Sequence, residues 1–231
     1  MIKKLLWPEI CPFCGNVSAK GICPVCYEKI TDLLIVQPVC MKCGKPVRTE
    51  EQEYCRDCTS TKHHFNRGRA LWLHKPPVSH SIYYFKYHNQ RQFAKFYATQ
   101  MFNVFYQVLY NWKPDCIVPI PLHNRRRRKR GYNQSLLIAK ELSKLSGIPV
   151  KAQILKRIQY TKPQKKLDHK MRKKNLRNAF SVPDYIGDIK NVLIIDDIYT
   201  TGNTIDEAAR KLKEAGVENV YFLTVSIGQG Y

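Results

Sequence analysis

Residues 192–204, with the sequence VLIIDDIYTTGNT, combine side chains that suit both a sugar and a phosphate. A buried strand is expected to turn at Asp196 and Asp197, and a helix to begin after Gly202. Backbone N–H groups at the start of such a helix favour a phosphate. The two carboxylates would repel a phosphate but suit ribose hydroxyls, directly or through Mg²⁺. The segment therefore predicts a ribose 5-phosphate site, the alternative being an ordinary strand, turn and capped helix with surface acids.

The same 13 residues resemble the phosphoribosyl pyrophosphate (PRPP) signature of type I phosphoribosyltransferases. The resemblance implies that the acidic pair holds the ribose and that the following loop wraps the 5′-phosphate. The PRPP-binding residues it implies are Asp196, Asp197, Tyr199, Thr200, Thr201, Gly202, Asn203 and Thr204. Reactions of this class pass through an oxocarbenium-like ribosyl C1 while Mg²⁺-pyrophosphate leaves. The protein would contribute positioning and electrostatic stabilisation of the departing charge.

Eight of the nine cysteines form four C-x-x-C pairs, a spacing typical of structural zinc sites. The simplest assignment is two sites in sequence, although the spacing also allows cross-pairing or a metal-free, oxidised cluster. Four thiolates per ion leave no position for water, so these sites are expected to be structural rather than catalytic. The predicted zinc ligands are Cys11, Cys14, Cys23, Cys26, Cys40, Cys43, Cys55 and Cys58. Cys116 stands alone in an apolar segment and is expected to be buried.

The net charge of +21 comes almost wholly from residues 61–231, which carry 31 basic and 11 acidic side chains. All six residues of the segment 125–130 are basic, and eight of sixteen are basic in the segment 162–177. Solvated surface charge is one reading of such runs, and binding of pyrophosphate or single-stranded DNA is the other. The candidate residues for that binding are Arg125, Arg126, Arg127, Arg128, Lys129, Arg130 and Arg172.

Hydrophobic periodicity predicts strands that alternate with helices, and hence a parallel α/β sheet flanked by helices. The predicted strands cover residues 81–87, 115–119, 154–158, 192–195 and 220–226, and the predicted helices residues 91–112, 133–145 and 203–215. A basic loop separates residues 119 and 133, and a mobile loop is expected at residues 160–177. The predicted organisation is a cysteine-rich module at residues 1–62, a linker at 63–79 and a PRPP-binding domain at 80–231.

Further motifs resemble the ComF competence family across essentially the whole chain. They are Val118-Pro119-Ile120-Pro121, the run from Arg130 to Gln134 (RGYNQ), FKYHNQR at residues 85–91, and Thr161, Gln164, Leu167, Arg172, Asn175 and Asn178-Ala179-Phe180. The resemblance implies a type I phosphoribosyltransferase-like fold behind a double zinc ribbon. It also implies a role in natural transformation, with PRPP, Mg²⁺, single-stranded DNA and other competence proteins as partners. In such transferases a mobile loop closes over PRPP, and residues 160–177 have the corresponding place in the chain.

Two other functions are compatible with parts of the sequence. A metabolic phosphoribosyltransferase would need a hood that recognises a base, and no segment has that pattern. A non-catalytic zinc-ribbon adaptor for nucleic acid would not need the intact acidic pair and phosphate loop. We expect a cytoplasmic protein with reduced thiols, because no apolar run approaches the roughly 18 residues of a membrane span or forms a secretory core.

Overall fold

The computed structural model describes residues 9–18, 21–159 and 178–228 of the 231-residue chain. The helices are α1 (Pro24–Thr31), α2 (Arg56–Ser60), α3 (Val78–Tyr87), α4 (Phe93–Trp112), α5 (Asn124–Arg130), α6 (Gln134–Ser146) and α7 (Asn203–Glu214). The strands are β1 (Arg67–Leu73), β2 (Cys116–Pro119), β3 (Lys156–Arg157), β4 (Phe180–Ser181), β5 (Asn191–Tyr199) and β6 (Asn219–Ile227). Among these residues, no helix has the length and apolar composition that a membrane crossing requires.

Four parallel strands form the main sheet in the order β1-β6-β5-β2. Their apolar runs are buried on both faces, as is usual for parallel strands covered by helices. On β5, Leu193 and Ile195 join a core with α3, α4 and α6, while Val192 and Ile194 join a second core with α7. The carboxyl ends of all four strands meet at one edge, which is where open α/β sheets bind ligands.

Most of the predicted elements are confirmed, with boundaries that differ by a few residues. The strand at 154–158 is reduced to the two residues of β3, which pair antiparallel with β4. The basic segment 125–130 was expected to be a loop, but it forms α5, with His123 as its N-cap and Gly131 as its C-cap. β5 was expected to turn at the acidic pair, but it continues in register with β6 to Tyr199. Residues 160–177, the expected mobile loop, lie outside the described residues.

Residues 81–87 were predicted to be a strand, and this prediction is wrong because they belong to α3. Their aromatic and β-branched composition favours strands locally. The buried positions of α3 are nevertheless Val78, Ser81, Ile82 and Phe85, at the i, i+3, i+4 and i+7 spacing of an amphipathic helix. Packing of this face against α4 overrides the local preference, as shown by the Ser81 hydroxyl, which lies 2.5 Å from the Tyr97 hydroxyl.

The segment predicted to be a linker contributes a strand to the main sheet. β1 pairs in parallel with β6, with Arg67 opposite Tyr221 and Leu73 opposite Ile227. The cysteine-rich module partly covers the outer edge of β1. The Ile35 amide of this module donates to the Leu71 carbonyl at 2.9 Å. Such cover limits unwanted pairing at a sheet edge. Gly68 and the Pro76-Pro77 pair suggested a linker. Gly68 in fact lies within β1 and the two prolines follow it, and long-range pairing stabilises this strand.

The cysteine-rich module contributes to both cores rather than forming one of its own. Cys11, Phe13 and Cys26 belong to the core on the α4 side, where the Phe13 ring lies edge-on to Trp72 at 6.1 Å. Cys40, Cys43 and Cys55 belong to the core on the α7 side, together with Phe65 and Tyr199. The fold class is therefore a parallel sheet flanked by helices and preceded by two cysteine-rich units that pack against it.

Candidate functional site

The acidic pair lies at the carboxyl end of β5, at the edge of the sheet where all four parallel strands end. The Ser135 hydroxyl donates to Asp196 Oδ1 at 2.9 Å, and the Asp197 amide donates to the same oxygen at 2.9 Å. Ser135 occupies the first turn of α6, whose N-cap is Asn133. The Asn133 amide side chain in turn donates to the Ile120 carbonyl at 3.0 Å, just beyond β2. β2, β5 and α6 together therefore fix the position of Asp196.

Asp197 forms an ion pair with a lysine from α3. Lys86 Nζ lies 2.7 Å from Asp197 Oδ1, and the two side chains are only 17% and 10% exposed. An ion pair this sheltered from water interacts more strongly than a surface pair. Neither Lys86 nor Ser135 was among the site residues predicted from sequence. The resemblance at residues 85–91 included Lys86, but only the fold shows that it meets the acidic pair.

The two carboxyl groups differ in their electrostatic surroundings. Burial raises the pKa of Asp196 to about 7, and repulsion from the Asp197 carboxylate acts in the same direction. The Lys86 ammonium and the hydrogen bonds from the Asp197 amide and Ser135 oppose this rise without cancelling it. The site therefore combines an ion-paired carboxylate with a carboxyl group that titrates near neutral pH.

A tight loop connects β5 to α7 directly after the acidic pair. Gly202 has φ of +77° and forms the N-cap of α7, a left-handed conformation that favours glycine. Thr200 is exposed, whereas Thr201, Asn203 and Thr204 are half-buried around the hollow that the loop forms. The first amides of α7 are available to an anion at this point. The loop therefore has the geometry expected of a phosphate site.

Tyr199 supports this loop from beneath. Its ring is buried, stacks on Phe222 with centroids 4.9 Å apart, and meets Phe65 edge-on at 6.2 Å. A Cβ atom at Gly202 would collide with the Tyr199 side chain, so the ring and the loop backbone are in close contact. The sequence predicted Tyr199 as a PRPP-binding residue, and the structure buries its side chain beneath the loop.

The basic helix α5 follows β2 at the same edge of the sheet. Arg125, Arg127, Arg128 and Lys129 are exposed, and Arg126 and Arg130 are half-buried. Arg130 Nη1 donates to the Gln134 side chain at 3.1 Å and thereby links α5 to α6. Arg172, the other predicted cation, lies outside the described residues. Within the described residues, α5 thus carries six consecutive cations, four of them exposed, just beyond the carboxyl end of β2.

The eight predicted zinc ligands assemble into two separate tetrads. The members of each tetrad have their Sγ atoms within 4.8 Å of one another, and the tetrads are Cys11, Cys14, Cys23, Cys26 and Cys40, Cys43, Cys55, Cys58. Cys14 Sγ lies 3.7 Å from Cys23 Sγ, and Cys43 Sγ lies 3.6 Å from Cys55 Sγ. Four sulfurs at about 2.3 Å from one zinc are about 3.8 Å apart. The tetrads are therefore consistent with two structural zinc ions and with ligand pairing in sequence order.

The remaining cysteine is not part of either tetrad. Cys116 is buried in β2, where burial raises the pKa of its thiol to about 11. Such a thiol is a poor nucleophile and a poor metal ligand at neutral pH. The expectation that Cys116 is a small buried apolar residue is confirmed.

Comparison with known proteins gives two domain matches and relatives of similar length. Residues 2–59 match the double zinc ribbon domain, and residues 86–227 match the phosphoribosyl transferase domain. Competence protein F of Haemophilus influenzae is 30% identical over 210 residues, which cover 89% of this chain and 90% of that protein. DNA utilization protein YhgH of Escherichia coli K12 is 30% identical over 223 residues, covering 92% and 94%. Competence protein ComFC of Bacillus subtilis is 28% identical over 201 residues, covering 84% and 79%.

These matches agree with the parallel sheet and the two cysteine tetrads described above. The chain therefore belongs to the phosphoribosyltransferase domain family and, with its double zinc ribbon, to the family of competence protein F and ComFC.

Proposed function

We propose that this protein binds PRPP together with Mg²⁺ and handles single-stranded DNA during natural transformation. The observation that supports PRPP binding best is the position of Asp196 and Asp197. They lie at the carboxyl end of a buried parallel strand, directly before a glycine-capped loop and the start of α7. In this arrangement the carboxylates would bind the two hydroxyls of a sugar, and the backbone amides that follow a few residues later would bind a phosphate.

Each part of PRPP has a complementary group in the proposed site. The acidic pair would bind the ribose 2′- and 3′-hydroxyls, with Ser135 and Lys86 holding the carboxylates in place. The loop of residues 200–204 would hold the 5′-phosphate. Mg²⁺, which prefers oxygen ligands and substrate phosphates, would be bound through the same carboxylates and the pyrophosphate. Cations of α5 would offset the charge of the pyrophosphate.

The DNA part of the proposal is supported by charge and by relatives. The relatives include proteins named for competence and for DNA utilization. The helix α5, which follows the carboxyl end of β2, carries six consecutive cations, four of them exposed, and these would attract the phosphates of a single strand. The excess of positive charge outside the cysteine-rich module would further attract a polyanion.

Titration calorimetry with PRPP and Mg²⁺ tests the ligand assignment. The double variant Asp196→Asn, Asp197→Asn should bind PRPP more than about 100-fold less tightly, because two charge-assisted contacts are lost. The matched control neutralises two exposed acids, Asp184→Asn and Asp188→Asn, and should bind like the wild type. Unchanged affinity in the first variant, with folding verified by its melting temperature, would disprove the ribose assignment.

A salt titration of single-strand binding tests the role of α5. Binding through about six phosphates should give a log–log salt slope near −4. Changing Arg127, Arg128 and Lys129 to Gln should weaken binding and reduce the magnitude of the slope by about 2. The control changes the exposed Lys140, Lys151 and Lys190 to Gln and so removes the same net charge elsewhere. Equal effects in both triple variants would show that only net charge matters and would overturn the assignment to α5.

Phosphoribosyl transfer is the reaction that the fold would support if the bound PRPP turns over. Incubation of protein, Mg²⁺ and PRPP with single-stranded DNA or with free bases, followed by assay of released pyrophosphate, would test this. Release that depends on one acceptor would establish an enzyme and identify its acceptor. Release with free bases but not with DNA would favour a metabolic transferase.

A further inference from the structure

The outward face of α3 carries a cluster of aromatic side chains that the phosphoribosyl site does not use. Tyr83, Tyr84 and Tyr87 are 51%, 48% and 52% exposed, and His88 follows directly at the end of the helix. The opposite face of α3 is buried, and Lys86 on the same helix pairs with Asp197. Three half-exposed tyrosines on one short helix expose far more apolar ring surface than core packing explains.

The rings of this cluster contact one another. Tyr83 and Tyr87 have centroids 5.0 Å apart, and Tyr83 and Tyr84 have centroids 6.1 Å apart. His88 lies 4.7 Å from Tyr84 and 5.6 Å from Tyr83, again between centroids. Mutual contact restrains the rings, so a planar ligand that stacks on them meets a surface that is already partly ordered.

The cluster joins the basic patch of α5 through Arg130. The Arg130 guanidinium lies 4.8 Å from the centroid of the Tyr87 ring, and its Nη2 donates to the Tyr87 hydroxyl at 3.0 Å. Neither α3 nor α5 contains an acidic residue, and α5 has six basic ones. The exposed aromatic rings therefore lie next to Arg130, at the end of the basic helix α5.

We infer that Tyr83, Tyr84 and Tyr87 form a stacking surface for the bases of single-stranded nucleic acid, whose phosphates α5 holds. Aromatic rings beside a positively charged groove are the combination by which proteins bind single strands without sequence preference. An acidic protein partner would satisfy the charge but would not require the rings to stay exposed in a cluster. This inference rests on the single-strand binding of the proposed function and specifies which residues contact the bases.

The experiment compares two probes of equal length, a 20-nucleotide oligothymidylate and an abasic strand that has the same phosphates. The triple variant Tyr83→Ala, Tyr84→Ala, Tyr87→Ala should bind oligothymidylate at least about tenfold less tightly than the wild type, as measured by fluorescence anisotropy. Its affinity for the abasic strand and its salt slope should be nearly unchanged, because α5 is intact.

Two control variants isolate stacking from other effects. The triple Tyr→Phe variant at the same positions keeps the rings and should bind oligothymidylate like the wild type. Tyr110→Ala removes a tyrosine of α4 that is 64% exposed, and it should have no effect. Tyr110 lies about 25 Å along α4 from the end of that helix near α3. Melting temperature and zinc content verify that each variant is folded.

Different outcomes separate this inference from the proposed function. If the wild type binds oligothymidylate and the Tyr→Ala variant binds it equally well, the stacking surface is disproved while single-strand binding stands. Equal loss for both probes, or equal loss in the Tyr→Phe variant, also overturns stacking. A change of oligomeric state without loss of DNA affinity would assign the cluster to protein contacts instead. If the wild type binds neither probe, the DNA part of the proposed function fails as well.

Discussion

Asp196 and Asp197 are consecutive residues whose carboxyl groups have unlike partners. Asp197 faces the Lys86 ammonium, whereas the Asp196 carboxyl accepts hydrogen bonds from a hydroxyl and an amide. A buried carboxylate without a cation at hydrogen-bond distance binds a proton more readily than one in water. A carboxyl group with a raised pKa, such as that of Asp196, is common at functional sites.

The pH dependence of stability should report the raised pKa of Asp196. In the folded protein this pKa is about 7, against an ordinary value of 3.8, so between these pH values the folded state retains a proton that the unfolded state has released. The contribution of Asp196 to stability is therefore full below about pH 4 and is lost as the pH rises to about 7. Asp196→Asn should remove this decline, which amounts to at most about 1.4 kcal/mol per pH unit.

Urea unfolding of the ligand-free protein between pH 4.5 and pH 8 measures this effect. Asp196→Asn should become more stable relative to the wild type as the pH rises, whereas the exposed control Asp188→Asn should follow the wild type. Parallel pH profiles for Asp196→Asn and the wild type would show that Asp196 titrates in its ordinary range.

At the scale of elements, β1 depends on a close approach that only glycine allows. Gly68 lies opposite Phe222 on β6, and a Cβ at Gly68 would overlap the Phe222 ring. That ring is stacked in turn on Tyr199, which lies beneath the loop of residues 200–204. The pairing of β1 with β6 and the geometry of the loop are therefore connected by a short path of packed rings.

Gly68→Ala should destabilise the protein by about 1–3 kcal/mol, because overpacked cores relax at that cost. Phe222→Leu in the same chain should recover part of the loss by shortening the side chain that the new methyl group meets. Thermal unfolding of the single and double variants gives the coupling between the two positions. Additive effects would show that the methyl group and the ring do not meet.

At the scale of the whole molecule, all members of the two cysteine tetrads except the exposed Cys14 belong to, or pack against, the cores that cover the sheet. The second tetrad lies beside Tyr199, whose ring is also 5.8 Å from Lys45 Nζ. Lys45 pairs with Asp57 at 2.6 Å and so ties the second cysteine-rich unit together next to the ring. Metal binding by these tetrads would therefore stabilise the transferase domain as well as the ribbon.

Cys43→Ser should reduce the bound zinc from two ions to one and lower the melting temperature by about 10 °C or more. It should also weaken PRPP binding, because the support under Tyr199 is lost. Cys116→Ala, which removes the cysteine outside both tetrads, should keep both ions and unfold within a few degrees of the wild type. Zinc analysis with differential scanning calorimetry measures both quantities, and intact PRPP affinity in folded Cys43→Ser would contradict the coupling.

Several features were predictable from the sequence because they depend on residues that are close together in the chain. The 13-residue segment around Asp196, the four C-x-x-C pairs and the periodicity of α4 and α6 each lie within a short window. Chemistry and hydrophobic period act locally in such windows, so the α/β class and the grouping of eight cysteines into metal-type pairs followed directly. The family resemblance added residues to these motifs without changing their interpretation.

Tertiary structure alone decided the features that depend on distant contacts. Lys86 and Asp197 are more than a hundred residues apart, and their ion pair exists because α3 packs beside the end of β5. α3 itself is a helix although its aromatic residues favour a strand, since one helical face is buried against α4. β1 is a strand only because β6 pairs with it. Residues 192–204 alone determined which ligand to expect. Burial and long-range packing decided that Tyr199 faces inward and that Lys86 and Ser135 hold the carboxylates. The spacing of residues within a short segment carries no information about which distant residues pack against it.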